Sequence, residues 1–221
     1  MKNTPFIAVT SQPVPYHADT TAIFNTLCQQ NSNSLLLDSA EIGSKNSLQS
    51  LILINAAVKI TCLGNQVTFR ALNANGKQVL KEIHPVLSQL GTVSAVNFEN
   101  EFSVQFAPLD NQLDEDSKLQ AATIFDGLRV ISNHYQHSST PVFLGGLFAY
   151  DLVANFIPMQ GVELKDDGIN CPDYSFYLAE NLITIDHQSQ QATLKSFCFS
   201  QEEQVEVAKT ALSIAQKLKN I

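Results

Sequence analysis

Two segments of the chain each contain a pair of apolar stretches separated by a short polar turn. The first, Ser50–Asn73, runs as an apolar, β-branched stretch to Cys62, turns around Gly64-Asn65 and returns through the alternating "QVTFRAL". The second runs from Tyr174 to Phe199 and turns across His187-Gln188-Ser189. Stretches of this kind joined by short turns are typical of antiparallel hairpins. The sequence therefore predicts an antiparallel sheet.

Four segments have the apolar spacing of helices. One begins at Asp19 or Thr20, a second is Gly76–Leu90, which Pro85 is expected to bend or break, and a third is Leu119–Tyr135. The fourth follows a capping box from Ser200 to Glu203 and has an apolar stripe of Val205, Ala208, Leu212 and Ala215. Strands outnumber helices and the connections favour hairpins, so we predict an α+β fold.

Shorter segments complete the predicted elements. Leu35–Leu37 is a short buried strand, Asn97–Phe106 alternates like a strand, and "LDNQLDEDS" is a polar loop. Val142–Val153 is predicted as a strand interrupted by Gly145-Gly146, where glycine would permit a bulge or a close backbone approach.

Composition excludes several classes of protein. The 221 residues carry a formal net charge of −8, which argues against a nucleic-acid binder. The opening residues 1–5 lack the apolar stretch expected of a signal peptide, and no apolar run approaches the length needed to span a bilayer. Its four cysteines form no C-x-x-C pair, so we expect reduced thiols rather than a zinc site. The prediction is a soluble, acidic, cytoplasmic protein with no membrane or nucleic-acid partner.

The polar pair Asp38-Ser39 ends the strand of three leucines. Such a pair could supply a nucleophile, a metal ligand, or hydrogen-bonding groups that bind a small polar ligand. No histidine lies in a hydrolase motif, and the acidic run Asp114–Asp116 lacks the spacing of a calcium loop. The residues by themselves therefore favour a binding module.

Several motifs in order carry a resemblance to a known family. They are "LLLDSAEI", "SLQSLILINAAVKITCLGNQVTFRAL", "LDEDSKL", "IFDGLRVI", "FLGGLFAYDLV" and "CPDYSFYLAENLITIDH", and they extend over about residues 20–220. In this order they resemble the large, chorismate-using subunit of anthranilate synthase, component I.

The resemblance implies more than the residues alone. It implies a layered fold of orthogonally packed antiparallel sheets flanked by helices, with residues 1–221 forming a single N-terminal, tryptophan-sensing domain. The family converts chorismate and glutamine-derived ammonia to anthranilate and pyruvate, with a glutamine amidotransferase, component II, as the partner subunit. The chorismate and Mg²⁺ sites lie in a C-terminal catalytic domain that this sequence does not contain. We therefore expect no catalytic residue, no cofactor and no activity in this chain alone.

The resemblance also implies a binding site for the pathway's end product, L-tryptophan. The expected ligand-binding residues are Leu37, Asp38, Ser39 and Ala40, and residues linked to feedback control are Arg129, Ser175 and Lys45. Two positions depart from the family pattern. Asp38 stands where the family commonly has Glu, and Gln49 stands where many members have a basic residue.

Two other functions remain open at this stage. One is the equivalent domain of aminodeoxychorismate synthase component I, from folate synthesis, although Asp-Ser-Ala-Glu-Ile and the hairpin after it favour anthranilate. The other is a free-standing small-molecule binding module. The coding sequence beyond Ile221 would separate these hypotheses.

Overall fold

A computed structural model describes residues 5–29, 31–38, 48–108, 114–138, 140–156 and 171–221. The strands are β1 Ala8–Val14, β2 Leu35–Asp38, β3 Gln49–Leu63, β4 Gln66–Ala71, β5 Thr92–Asn97, β6 Glu101–Gln105, β7 Leu144–Phe148, β8 Tyr174–Asp186 and β9 Gln191–Cys198. The helices are α1 Thr20–Cys28, α2 Ala74–Leu87, α3 Glu115–Gln120, α4 Asp126–His134 and α5 Gln204–Leu218, with a 3-10 helix at Tyr150–Asn155. None of the helices in these ranges is long and apolar enough to cross a lipid bilayer.

The described strands form one nine-stranded sheet in which every pair is antiparallel. The main path runs β1-β9-β8-β3-β4-β6-β5, with β2 added beside β3 and β7 added beside β8. Both predicted hairpins are present, as β3–β4 and β8–β9. The predicted α+β class is confirmed. The long central strands β3 and β8 pair with each other along almost their whole length, with register shifts between Leu53 and Val58.

Side-chain alternation along the central strands creates two hydrophobic cores. Successive residues of a strand point to opposite faces, and Ile52 and Ile54 belong to one core while Leu53 belongs to the other. The smaller core lies with α1 and α5, and the larger one with α2 and α4. Because both faces of β3 are covered by helices, its middle is buried on both sides, as its continuous apolar run requires.

The predicted helix Leu119–Tyr135 is wrong as a single element. Ala121 is extended, with ψ 140°, and it ends α3 before α4 begins. Asp126 accounts for the break, because its Oδ2 accepts a hydrogen bond of 2.7 Å from the Thr123 backbone N–H and so stabilises a new helix start. The end of the polar loop predicted at "LDNQLDEDS" is also helical, since Asp114 caps α3.

Two details of α5 differ from the prediction. Glu203 is the N-cap residue and makes no side-chain capping bond, so the predicted capping box does not form. The predicted stripe is also on the wrong face: Val205 and Leu212 are exposed, whereas the buried residues are Val207, Ala211, Ile214 and Leu218. The sequence offers two apolar stripes at helical spacing, and packing against the sheet selects the second.

The predictions at Pro85 and at the paired glycines have different outcomes. Helix α2 continues through Pro85 and ends two residues later, so the proline removes a backbone donor only from the last turn. Gly146 allows the close backbone approach that was predicted, because an added Cβ there would lie 2.6 Å from the Phe176 Cα. The predicted strand to Val153 is wrong at its end, since β7 stops at Phe148 and is followed by the 3-10 helix.

Candidate functional site

Asp38 ends β2, and its carboxylate is held by hydroxyl groups from two other elements. Ser50, its pairing partner on β3, donates a short hydrogen bond from Oγ to Oδ1. Thr20, at the start of α1, donates from Oγ1 to Oδ2 at 3.3 Å. Ser50 and Thr20 are buried, while Asp38 itself is exposed. The carboxylate is therefore held by two buried hydroxyl groups, and Asp38 remains open to solvent.

The hydrogen bonds continue from Ser50 to the far side of the site. His187, just past the end of β8, places Nε2 at 2.8 Å from the Ser50 Oγ. Its Nδ1 lies 3.2 Å from the hydroxyl of Tyr16, whose ring meets the imidazole edge-on. The His187 backbone N–H donates to the Leu48 carbonyl at 2.9 Å, which fixes the turn beside β3. Together Tyr16, His187, Ser50, Asp38 and Thr20 form what we call the Asp38 network.

The Asp38 network contains serine, histidine and aspartate, but it lacks the order of a catalytic triad. In a triad the histidine lies between the other two, so that it can remove the serine proton. Here Ser50 lies between Asp38 and His187, and its side chain is fully buried, at 0% exposure. A buried serine that donates to a carboxylate cannot attack a substrate in solvent. The chemistry available at this site is recognition of a donor group by Asp38.

The network lies on one face of the sheet. Ser50 shares the face of Ile52 and Ile54, which is the face covered by α1 and α5. Gln49 precedes Ser50 and so projects from the opposite face, where it lines a pocket of about 270 Å³ together with Asp186 and Lys195. A residue at position 49 therefore does not share the Ser50 side of the strand.

The resemblance predicted two sets of residues, and the structure describes part of each: the ligand-binding set Leu37, Asp38, Ser39 and Ala40, and the feedback-linked set Arg129, Ser175 and Lys45. Leu37 is 40% exposed and precedes Asp38, so its side chain lies on the other face of β2. Ser175 on β8 pairs with Thr61, at the opposite end of β3 from Ser50. Ser39, Ala40 and Lys45 lie outside the described residues.

Arg129 is a surface residue with a local partner. Its side chain is 60% exposed and pairs with Asp126 at 3.3 Å, one turn earlier on α4. Its guanidinium also lies 6.0 Å from the centre of the Phe125 ring. Phe125 contacts Phe148, which is the neighbour of Leu147, the β7 partner of Ser175. Phe148 itself pairs with Tyr174, so the Phe148 ring and the Ser175 side chain lie on opposite faces of the sheet, and the structure places neither Arg129 nor Ser175 with Asp38.

A second polar cluster ties α2 to α4. Burial of Glu82 opposes its ionisation, but hydrogen bonds from His134, Gln78 and Tyr135 outweigh burial and hold the pKa of Glu82 below its ordinary value. His134 and Tyr135 line a pocket of about 250 Å³ beside Ile7. The Glu82 carboxylate already accepts hydrogen bonds from three donors, so we interpret this cluster as a structural contact that joins α2 to α4. Within the described ranges, no group of three or more His, Cys, Asp or Glu side chains is placed to hold a metal ion.

Four residues of the Asp38 network were not identified from the sequence: Tyr16, Thr20, Ser50 and His187. One signal was available, since pairing Leu35–Leu37 with the first hairpin as antiparallel strands would have placed Asp38 near Ser50. The contribution of His187 depends on the pairing of β3 with β8, which joins residues more than a hundred positions apart. Local pattern carries no information on that pairing.

Comparison with known proteins gives consistent matches. The chain is 86% identical over 216 residues to anthranilate synthase component 1 of Haemophilus influenzae, covering 98% of this chain and 42% of that protein. It is 44% identical over 202 residues to the protein of the same name from Vibrio cholerae, covering 90% and 38%. The corresponding values for Escherichia coli are 37% over 199 residues, covering 89% and 37%. The chain thus spans about two fifths of the length of these curated relatives. No protein-family model matches it.

Proposed function

Because this chain belongs to the anthranilate synthase component 1 family, we propose that it forms the N-terminal, tryptophan-sensing domain of such a subunit. The complete subunit would convert chorismate and glutamine-derived ammonia to anthranilate and pyruvate. It would work with a glutamine amidotransferase partner, component II, and would hold Mg²⁺ in a C-terminal domain. The observation that carries this proposal is 86% identity over almost the whole chain to a named component 1. The same matches favour this function over aminodeoxychorismate synthase and over a free-standing binding module.

In the proposed site, the Asp38 carboxylate receives the ammonium group of L-tryptophan. A charge-assisted hydrogen bond of this kind contributes roughly 1.5–3 kcal/mol. An ionised carboxylate has about four acceptor positions, and Ser50 and Thr20 use two of them. Those two bonds hold the carboxylate in one orientation before the ligand arrives, which lowers the entropy cost of binding. Asp38 is exposed, so an ammonium group can reach the remaining positions.

We assign the neighbouring residues Ser39 and Ala40 to contacts with the rest of the ligand, and Leu37 to a contact through its backbone, because its side chain lies on the other face of β2; Lys45 is linked to feedback control. An indole ring buries ~150–250 Å² and needs apolar cover, part of which would come from the C-terminal domain. Arg129 lies against the Phe125 ring, and Ser175 pairs with Thr61 at the opposite end of β3 from Ser50. Their proposed link to feedback is therefore indirect, through the contact between domains rather than through the ligand.

Substitutions of Ser39 test the site. In a full-length component 1 carrying this sequence, Ser39→Phe fills the space for the ligand and should abolish inhibition by tryptophan while much of the chorismate activity remains. Ser39→Ala removes only a hydrogen bond and should weaken inhibition by about tenfold. Anthranilate is fluorescent, so both effects can be followed as inhibition curves. In the same assay, we expect the 221-residue chain alone to form no anthranilate.

Thermal melts separate the proposed role of Ser39 from a structural one. If Ser39→Phe lowers activity and melting temperature together, or leaves inhibition unchanged, then the strand end does not bind tryptophan. Anthranilate production by the chain alone would contradict the division of roles between the two domains.

A further inference from the structure

The Asp38 network has only one arrangement of protons when its carboxylate is ionised and the His187 imidazole is neutral. An ionised carboxylate only accepts hydrogen bonds, so the single Ser50 O–H must point at Asp38. Ser50 can then only accept at its other contact, so His187 must carry a proton on Nε2. In a neutral imidazole the other nitrogen is an acceptor, and Nδ1 therefore receives the Tyr16 O–H.

All the donors consequently point the same way. The order is Tyr16 O–H to His187 Nδ1, His187 Nε2–H to Ser50 Oγ, and Ser50 O–H to Asp38 Oδ1. Hydrogen bonds aligned in one direction polarise one another and strengthen the last bond in the series. The last bond here is the one to the carboxylate, and Ser50 at its centre is shielded from water.

We infer that Tyr16, His187 and Ser50 act as a one-way hydrogen-bond relay that positions Asp38 and sets the strength with which it binds an ammonium group. The inference rests on the proposed function for its ligand, L-tryptophan. The three relay residues do not touch the ligand and are positioning residues. They come from three separate parts of the chain, the segment before α1, the start of β3 and the end of β8. The Asp38 carboxylate is therefore correctly oriented only when these elements are packed together.

The tautomer of His187 is a direct test that requires no ligand. In ¹⁵N-edited NMR spectra of the 221-residue chain at a pH where imidazole is neutral, His187 should be the Nε2–H tautomer with Nδ1 as an acceptor. Tyr16→Phe, which removes the donor to Nδ1, should shift the Nδ1 resonance toward that of an imidazole without this hydrogen bond. An Nδ1–H tautomer would overturn the relay, because Ser50 would then have to donate to His187 and could not donate to Asp38.

Inhibition measurements on the full-length enzyme test the role of the relay. Ser50→Ala should raise the tryptophan inhibition constant about five- to tenfold, and Tyr16→Phe about two- to threefold. Tyr16→Phe should add nothing once Ser50 is alanine, because the relay is already interrupted. Ser196→Ala is the matched control: its buried hydroxyl donates to Asn181 at 2.8 Å, away from the network, and its loss should leave the inhibition constant unchanged.

The outcomes distinguish the relay from the proposed function. If the unsubstituted enzyme is not inhibited by tryptophan, both the proposed tryptophan-sensing function and the assignment of L-tryptophan as the ligand are wrong. If tryptophan inhibits the unsubstituted enzyme and the Ser50→Ala enzyme equally, the site binds tryptophan but the relay is overturned. Additive effects of Tyr16→Phe and Ser50→Ala would also overturn it, because independent structural losses add.

Discussion

Gly76 on α2 is a helical glycine at which alanine should destabilise the protein. In an ordinary helix, replacing glycine by alanine stabilises by about 1 kcal/mol, because glycine loses more conformational freedom. At Gly76 an added Cβ would lie 2.7 Å from the Ala57 carbonyl carbon and closer still to its oxygen. These are backbone atoms of the central strand β3, and the same carbonyl accepts a 2.9 Å hydrogen bond from the Leu72 N–H. Helix α2 would have to move away from the sheet.

The size of the effect follows from three contributions. Overpacking against backbone that cannot yield costs about 3 kcal/mol, at the upper end of its usual range. Displacing the helix start weakens the cap in which Asn73 accepts from the Gly76 N–H at 2.8 Å, which costs about 1 kcal/mol. Subtracting the gain of about 1 kcal/mol in helix propensity leaves a net loss of about 3 kcal/mol. For a chain of this length, the melting temperature should fall by about 6–12 °C.

Denaturant and thermal melts of the purified chain measure this loss. Gly127 on α4 provides the control, because an added Cβ there would meet side-chain atoms of Val67 at 3.0 Å and Phe69 at 3.2 Å. Side chains can shift by a few tenths of an ångström, so Gly127→Ala should change the free energy of unfolding by less than about 1 kcal/mol. If Gly76→Ala proves as stable as the unsubstituted chain, or more stable, then α2 does not pack on β3 at this distance and the reasoning is wrong.

Two further predictions concern ionisable groups, one a buried carboxyl and the other an exposed thiol. Burial raises the pKa of Glu180, although Asn75 and Asn73 donate to its Oε2. A carboxyl group whose pKa is raised by folding stabilises the protein below its ordinary pKa, and this contribution is lost as the pH rises through the folded value. The unfolding free energy of the natural chain should therefore fall relative to Glu180→Gln across that window, and parallel pH profiles would contradict the assignment. Cys171 is exposed, whereas burial and the nearby Asp173 raise the pKa of Cys62 to about 12. A thiol reagent should label one cysteine of the native chain rapidly and all four after unfolding, and Cys171→Ser should remove the rapid reaction.

The local sequence pattern was sufficient to predict the hairpins, because the two strands of each hairpin are neighbours in the sequence. The turns at Gly64-Asn65 and His187–Ser189 lie between long β-branched stretches, so both hairpins could be predicted. Strand β1 was not predicted, because its polar and apolar residues do not alternate clearly and its pairing with β9 comes from the far end of the chain. The buried face of α5 could not be predicted from local sequence either, because packing against the sheet determines which of its two apolar stripes is buried.

The candidate site was predictable only in part for the same reason. Asp38 could be identified because a carboxylate at the end of an apolar strand is conspicuous, and the family resemblance pointed to the same segment. Ser50 and His187 are ordinary polar residues in their own sequence neighbourhoods. Their roles appear only when β3 pairs with β2 on one side and with β8 on the other.

The pairing of β1 with β9 has a consequence for synthesis of the protein on the ribosome. Ala8 pairs with Cys198, so β1, the first of the described strands to be synthesised, waits for β9, the last of them. At roughly 5–20 residues per second, that interval is about 10–40 s. Strand β8, which separates β9 from β3 in the sheet, is made in the same late period. Until β8 and β9 are made, β1 therefore has no partner and the central strand β3 has one edge uncovered, and these are the segments that a nascent-chain chaperone would need to shield.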